Sequence, residues 1–413
     1  MLKNVVYIYD QSYLSGGAAK IAFGEALEMQ RKGYNVIFFA AIGPVGEELL
    51  SSDIKTICLN EKHIAFTKSP KALYHGIWNS KAYKELRKCL NELDRESTIV
   101  HIHGWTKSLS SSVVRAVYDS GFEMVVTLHE YFSICQNGGL FNYRQNKICD
   151  LKPGSARCYF CDCDKRNYLQ KWYRNIRQII QNRVLKQVKP NVIYITGFSK
   201  DRLSLSGNYR NKCYDLTNFV EIEKKERVQV EKNENYLFVG RISAEKGIDV
   251  FCEAITAARI PGIVIGEGPL KKEYKEKYPE ISFVGWKNHN EMMEYLHKAR
   301  GLVISSKWYE TMGLTVVEMQ QYGIPCVVPA ECAASEYIKD KVDGLLYTIG
   351  DSRSLTKCLK ALSDDKYIEK LSITFLNNLD RERFSMQNHS NKLVGIYNDI
   401  LKIGKTRNDK NTR

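Results

Sequence analysis

Short apolar runs recur along this chain with room for a helix between neighbours, and that spacing constrains the fold more than any other feature. Residues 5–9, 36–40, 99–103, 124–128 and 192–196 form one series, and residues 236–239, 262–265, 301–305 and 326–328 form a second. Runs of three to five mostly apolar residues fit strands buried on both faces. Parallel sheets covered by crossover helices provide that environment. The charged stretch 224–235 separates the two series, so the expectation is an α/β protein with two such sheets. A chain of 413 residues has the material for two or three domains with sizeable cores. Its 44% hydrophobic and 26% charged residues are those of an ordinary soluble protein.

The stretch 301–328 carries the first chemical signal. An apolar run is followed by a loop bearing Glu310; Thr311 can cap a helix running through Glu318 to Tyr322, and Gly323-Ile324-Pro325 closes it before the next strand. A helix start presents unpaired N–H groups and a partial positive charge, so Met312, Gly313, Leu314 and Thr315 offer a seat for a phosphate. Eight residues of helix rise about 12 Å, whereas two carboxyls sharing acid–base work stand roughly 5–9.5 Å apart. Glu310 and Glu318 therefore suit the two ends of one long ligand with an anionic middle, the shape of a nucleotide sugar. The plain alternative is a pair of solvated helix carboxylates.

Together with VGRISAEKG at 239–247 and IGEGP at 265–269, this stretch resembles the donor half of the retaining glycosyltransferases of family four, which share the GT-B fold. The resemblance implies two Rossmann-like domains facing a central cleft: an acceptor-side domain at 1–215, a donor domain at 216–380, a helix at 381–403 crossing back to the first domain, and a polar tail at 404–413. It implies that Glu310 meets the donor sugar, Glu318 the ribose hydroxyls, and Arg241 and Lys246 the diphosphate. Gly240, Gly266, Glu267, Gly268, Thr311, Met312, Gly313 and Leu314 complete that donor site. Enzymes of this kind use no protein nucleophile. Two cations and a helix start can replace a divalent metal at the leaving group, so no catalytic metal is expected.

In the first half, Gly16 and Gly17 follow the first strand and open a helix, a turn that lets backbone approach a phosphate or sugar closely. VHIHGW and VVTLHEYF each put a histidine at or just past a strand end, where sheets of this class bind ligands. By resemblance, His129 is the cleft histidine beside the reacting sugar, His103 supports it, and Glu130 lies on the acceptor side where the family often has Asp. A structural hydrogen-bonding role is the plain reading of either histidine.

Five of the twelve cysteines fall within 135–163. Cys158 and Cys161 form a chelating pair that Cys135 and Cys149 can complete as a structural zinc site in an insertion at about 133–165, with free thiols as the alternative. The charge is uneven. Residues 1–210 hold thirty Lys and Arg against eighteen Asp and Glu, most of the net +14. Residues 165–190 contain eight basic residues and no acidic one, interleaved with aromatic and branched apolar residues, which reads as a basic amphipathic helix for an anionic membrane surface. No nucleic-acid-binding signature accompanies the charge. The start MLKNVVYIYD reads as a buried strand, so the expected place is the cytoplasm, peripheral to the inner face of the plasma membrane.

The expected function is transfer of a sugar from a nucleoside-diphosphate sugar to a glycan or lipid-linked glycan in surface polysaccharide synthesis. The alternatives are a sugar-nucleotide epimerase of the same fold and a non-catalytic basic adaptor for membranes or nucleic acid.

Overall fold

The structure is a computed structural model and describes residues 1–63, 69–204 and 212–411. Two parallel sheets organise it. The first contains β1 (Asn4–Ile8), β2 (Asn35–Ala40), β3 (Lys55–Cys58), β4 (Thr98–Ile102) and β5 (Glu123–Leu128). A small antiparallel hairpin follows, β6 (Phe141–Asn142) with β7 (Lys147–Ile148), before β8 (Asn191–Tyr194) and β9 (Cys213–Asp215) rejoin the first sheet. The second sheet contains β10 (Asn235–Val239), β11 (Gly262–Ile265), β12 (Ser282–Gly285), β13 (Ala299–Val303), β14 (Cys326–Pro329) and β15 (Leu345–Tyr347).

The strand orders are β3-β2-β1-β4-β5-β8-β9 and β12-β11-β10-β13-β14-β15. In register, Val5 on β1 lies between Val36 and Ile99, and Leu237 on β10 between Ile263 and Leu302. Alternate residues of the first sheet enter separate cores. Val6, Ile8, Ile37 and Val100 pack on one face; Val5, Tyr7, Phe38 and Ile99 pack on the other. The nine runs read from the sequence are the inner strands. The four that were not legible, β3, β9, β12 and β15, are the sheet edges. They have three or four residues each and carry polar side chains such as Lys55, Asp215 and Ser282, because an edge has one neighbour and partial solvent contact.

The last helix, Met386–Asn411, returns to the first domain, placing Leu393, Tyr397, Ile400 and Leu401 in the core that holds Val5 and Tyr7. The expected helix at 381–403 and tail at 404–413 are corrected: helix begins at Met386 and continues to Asn411. Gly404 does not break it, since that glycine lets the helix approach the Glu123 side chain, 2.8 Å from where a Cβ would stand. In both sheets the order reverses at the first strand, between β1 and β4 and between β10 and β13. A crevice opens beyond the strand ends at such points, and the loops of the two domains meet there.

Candidate active site

The loop after β10 is fixed by its glycines. Gly247 has φ +66°, and a Cβ on it would lie 1.8 Å from the Ser305 carbonyl oxygen. Only glycine allows that contact between this loop and the one after β13. The contact sets Lys246 against Glu310, with Nζ to Oε1 at 2.6 Å. The same oxygen accepts from Ser306 Oγ at 2.5 Å and from Trp308 Nε1 at 3.4 Å. Burial alone would raise the Glu310 carboxyl, but the charge and hydrogen bond of Lys246 outweigh it and hold the group below the usual carboxylate range.

These groups form one side of a cavity of about 340 Å³, a size suited to a small-molecule ligand. Gly17, Ala18, His129, Glu130 and Ile195 line it from the first domain, while Asn218, Thr311, Met312, Gly313, Leu314 and Thr315 line it from the second. Thr311 does not cap a helix as expected. Its Oγ1 donates to the His129 carbonyl at 2.9 Å, and its own carbonyl accepts from Thr196 Oγ1 at 2.9 Å, tying the domains together. The helix starts later, at Leu314, and ends at Gln320 rather than Tyr322. Gly313 precedes it with φ +81°, and a Cβ there would meet Ala334 at 2.6 Å.

Several expected donor residues stand outside this cavity wall. Gly240, Gly266 and Gly268 pack loop against loop: a Cβ on Gly266 would lie 2.0 Å from the Gly240 carbonyl oxygen, and one on Gly268 2.1 Å from that of Ile242. Glu267 pairs with Lys271 at 2.6 Å. Arg241 pairs with Glu245 and leaves 58% of its side chain exposed. Gly16 precedes the first helix, and the adjoining Gly17 reaches the wall. Glu318 lies beyond the wall near the far end of the short helix. Burial pushes its carboxyl up, with Lys20 opposing that shift.

On the first domain, His103 Nδ1 lies 2.9 Å from His129 Nε2, so His103 supports the cleft ring from behind. It also lines a second cavity of about 40 Å³, which shares Ala18, His129 and Glu130 with the first and adds Tyr9, Asp10 and Lys107. Glu130 opens onto both cavities, and the protein around it raises its carboxyl. Burial pushes His129 well below the ordinary histidine value, so the ring is neutral.

Sequence reasoning missed four residues here. Asp10 accepts from the backbone N–H groups of Lys107, Ser108 and Leu109 at 2.8, 2.8 and 2.9 Å, fixing the loop after β4. Its signal was an Asp just past the first strand. Glu25, His101 and His389 meet behind His103. The spacing of His101 and His103, two apart on one strand and so on one face, was the visible clue. Glu25 was a second, as a carboxylate on a helix face otherwise made of Ile21, Ala22, Ala26 and Met29.

The cysteines expected to hold zinc lie near one another without closing to ligand distance. Among the described residues, the group of metal-capable side chains found within ligand distance is Glu25, His101 and His103; Cys135, Cys149, Cys158 and Cys161 form no such group. Cys135 Sγ donates to Asn137 Oδ1 at 3.1 Å and Cys158 Sγ to Gln136 Oε1 at 3.3 Å, while Cys161 Sγ accepts from Asn142 Nδ2 at 3.7 Å. Burial raises the thiols of Cys135 and Cys149.

Comparison with known proteins bears on the fold and on the second domain. Residues 219–374 match the family described as Glycosyl transferases group 1. An Escherichia coli UDP-Gal:alpha-D-GlcNAc-diphosphoundecaprenol alpha-1,3-galactosyltransferase is 26% identical over 218 residues, 46% of this chain and 52% of that protein. The O-antigen chain mannosyltransferase C of Escherichia coli is 25% identical over 176 residues, 40% and 47% of the two chains. The matched region thus spans about half the length of these curated relatives. Among solved structures, Anabaena HepE in complex with UDP and glucose superposes with a TM-score of 0.68 at 13% identity, covering 96% of this chain and 100% of that one. Sucrose-phosphate synthase from Thermosynechococcus elongatus gives 0.66 at 15% identity, covering 97% and 100%. The chain has the GT-B fold, and residues 219–374 in its second domain match the glycosyltransferase group 1 family.

Proposed function

We propose that this chain is a retaining glycosyltransferase that moves a hexose-type sugar, with α configuration, from a nucleoside-diphosphate sugar to a hydroxyl of a lipid-linked surface glycan. The observation that carries the reading is the Lys246–Glu310 pair in the wall of an interdomain cavity, with Gly17 and His129 on the other domain's side. An ionised Glu310 accepts hydrogen bonds from donor-sugar hydroxyls, and Lys246 beside it faces the diphosphate. Arg241 joins Lys246 by exchanging Glu245 for phosphate, and Glu318, farther along, takes the ribose. The acceptor hydroxyl attacks the anomeric carbon on the face from which the diphosphate departs. The carbon–oxygen bond to the diphosphate breaks, and the hydroxyl proton passes to the leaving group. Positioning and fixed positive charge supply the catalysis, so turnover is expected to persist in EDTA. The Escherichia coli relative named for a diphosphoundecaprenol substrate supports a lipid-linked acceptor, and the HepE complex supports a uridine nucleotide among the donors to try first. The test is thermal shift and hydrolysis with UDP, GDP, ADP and their sugars. A ligand at about 100 times Kd stabilises by about 2.7 kcal/mol. Failure of every nucleotide to shift the melting temperature would end this reading.

The lipid surface has its own support. Among the described residues no helix is long and apolar enough to cross a membrane. The first half of the helix Tyr168–Val188 is instead inside out, whereas the second half buries Val184, Leu185 and Val188. Its buried face holds Lys171, Asn175, Arg177, Gln178 and Gln181, whereas Leu169, Trp172, Ile176 and Ile179 are exposed, at 80%, 39%, 49% and 42%. Lys171 and Arg177 thus depart from the expected outward basic face, while Lys165, Arg166, Arg183, Lys186 and Lys189 keep it. Lys171 Nζ reaches Gln136 and Cys163 at 3.4 Å, Arg174 pairs with Asp164 at 3.1 Å, and Arg177 donates to the carbonyls of Thr106 and Gln136 at 3.0 and 3.3 Å. Polar loop groups beneath the helix need donors, and these residues supply them. The exposed apolar stripe, spaced by three and four residues, continues into exposed Lys165 and Arg166 before it and Arg183 and Lys186 after it. Apolar residues entering the interface between basic ends suit an anionic lipid surface.

A further inference from the structure

Glu25 lies on the inner face of the helix Gly17–Arg31 with about 1% of its surface exposed, and three imidazoles converge on it. His103 Nε2 and His101 Nδ1 stand 3.3 and 3.2 Å from Oε2, and His389 Nε2 stands 3.0 Å from Oε1. His389 comes from the return helix, 364 residues along the chain from Glu25.

The other nitrogen of each ring decides where the protons are. His389 Nδ1 lies 2.9 Å from the carbonyl oxygen of Thr217. A carbonyl and a carboxylate only accept, so both nitrogens of His389 donate and its ring is the counter-charge to Glu25. With that charge balanced, His103 is neutral, and its proton sits at Nε2, which faces Glu25 Oε2 at 3.3 Å; neither of these two buried atoms has a hydrogen-bond partner among the described residues, so their contact is electrostatic. Its Nδ1 must then accept, and the group 2.9 Å away is His129 Nε2. His101 is held differently, with Nδ1 at 2.6 Å from the Tyr397 hydroxyl and Nε2 at 2.7 Å from Thr127 Oγ1. Burial lowers both His101 and His129, in keeping with neutral rings around one ion pair.

We propose that Glu25 is a positioning residue for the cleft: balanced by His389, its carboxylate orients His103 so that His129 carries its proton on Nε2 and keeps Nδ1 as an acceptor. The return helix is then part of the machinery that sets the cleft histidine, as well as a packing element. The use made of His129 Nδ1, accepting from a hydroxyl in the cavity, rests on the glycosyltransferase reading. The proton assignment does not.

The decisive experiment is ¹⁵N–¹H correlation of histidine-labelled full-length protein at neutral pH, without ligand. The expected result is His129 protonated at Nε2 only, and His389 at both nitrogens. Glu25→Gln, close to isosteric, should give His129 a mixture of tautomers. It should also lower kcat for donor hydrolysis by about tenfold or more while changing KM by less than about twofold. A proton on His129 Nδ1 in the parent protein, or an unchanged His129 spectrum and kcat in the variant, would overturn the proposal. A stoichiometric metal ion bound by Glu25, His101 and His103 would overturn it too, because the metal would replace the protons in question. If the spectra are as expected but no nucleotide sugar is hydrolysed, the enzymatic reading fails and the proton assignment stands.

Discussion

At the scale of single residues, the site rests on charges held against each other. Lys246 and Glu310 share one 2.6 Å contact, and each leaves the other unpaired when removed. Lys246→Ala is expected to lower turnover by roughly 10²–10³ with little loss of folding, because it removes a cation from the developing charge of the leaving group. Single-turnover hydrolysis, with circular dichroism as the folding control, checks this; near-parent turnover would remove Lys246 from the donor site. Glu310→Gln is expected to keep the affinity for the free nucleoside diphosphate within about threefold while lowering use of the sugar. Equal losses of both would mean that Glu310 does not sit at the sugar end. Glu310, Lys246 and His129 were legible because each stands just after a strand in a recognisable phrase. Glu25 and His389 were not, since their meaning lies in a contact between elements far apart in sequence.

At the scale of elements, the helix Tyr168–Val188 shows what composition leaves open. Eight basic residues among apolar ones specify an amphipathic helix, but not which face is buried. Replacing Leu169, Trp172, Ile176 and Ile179 together with Ser is expected to lower binding to vesicles of anionic lipid by about tenfold or more. Their burial in a bilayer interface is otherwise favourable at roughly 25 cal/mol per Å². Hydrolysis of a soluble donor should be unchanged. Co-sedimentation is the measurement, and unchanged binding would assign the stripe to another partner. Arg177→Glu is expected to act on folding instead. Arg177 is buried, and burial lowers its guanidinium to about 10. Charge reversal against the Thr106 and Gln136 carbonyls should cost about 3–5 kcal/mol, read as a lower denaturation midpoint. A variant as stable as the parent would show that this face is not packed.

At the scale of the whole molecule, the return helix joins the C-terminus to the first sheet through Tyr397. Its hydroxyl meets His101 Nδ1 at 2.6 Å and the Tyr7 hydroxyl at 3.1 Å. Tyr397→Phe leaves both partners buried and short of a bond, and is expected to cost about 1–3 kcal/mol. The same cluster sets a pH dependence. Burial lowers His101 to about 4, while an unfolded histidine titrates near 6.5. Between those values the unfolded chain binds more protons than the native one, so stability rises with pH across that window and is lost on acidification. Glu25 acts in the same direction. Burial would raise its carboxyl, but the imidazoles packed around it hold it well below the usual range, so its contribution is present above the unfolded carboxylate value and is lost as pH falls below it. Denaturation midpoints at pH 7, 6, 5 and 4 should fall steadily, and His101→Gln should flatten the slope. A flat profile in the parent would contradict the buried neutral ring.

The sequence by itself determined the inner strands of both sheets, the break between them, and the loops bearing Lys246, His129 and Glu310. These follow from local patterns, in which apolar runs set strands buried on both faces and glycines set turns at their ends. Tertiary structure decided what local pattern leaves free. It placed the four edge strands, whose pairing comes from one neighbour. It sent the Thr311 hydroxyl across the cleft to His129 rather than onto a helix start. It turned the polar face of Tyr168–Val188 inward, because the loops beneath present carbonyls that need donors. It gave Cys135, Cys158 and Cys161 amide side chains as partners. Above all it brought Glu25, His103 and His389 together from three elements, because a buried carboxylate is stable only where distant parts of the chain supply its hydrogen bonds and its counter-charge.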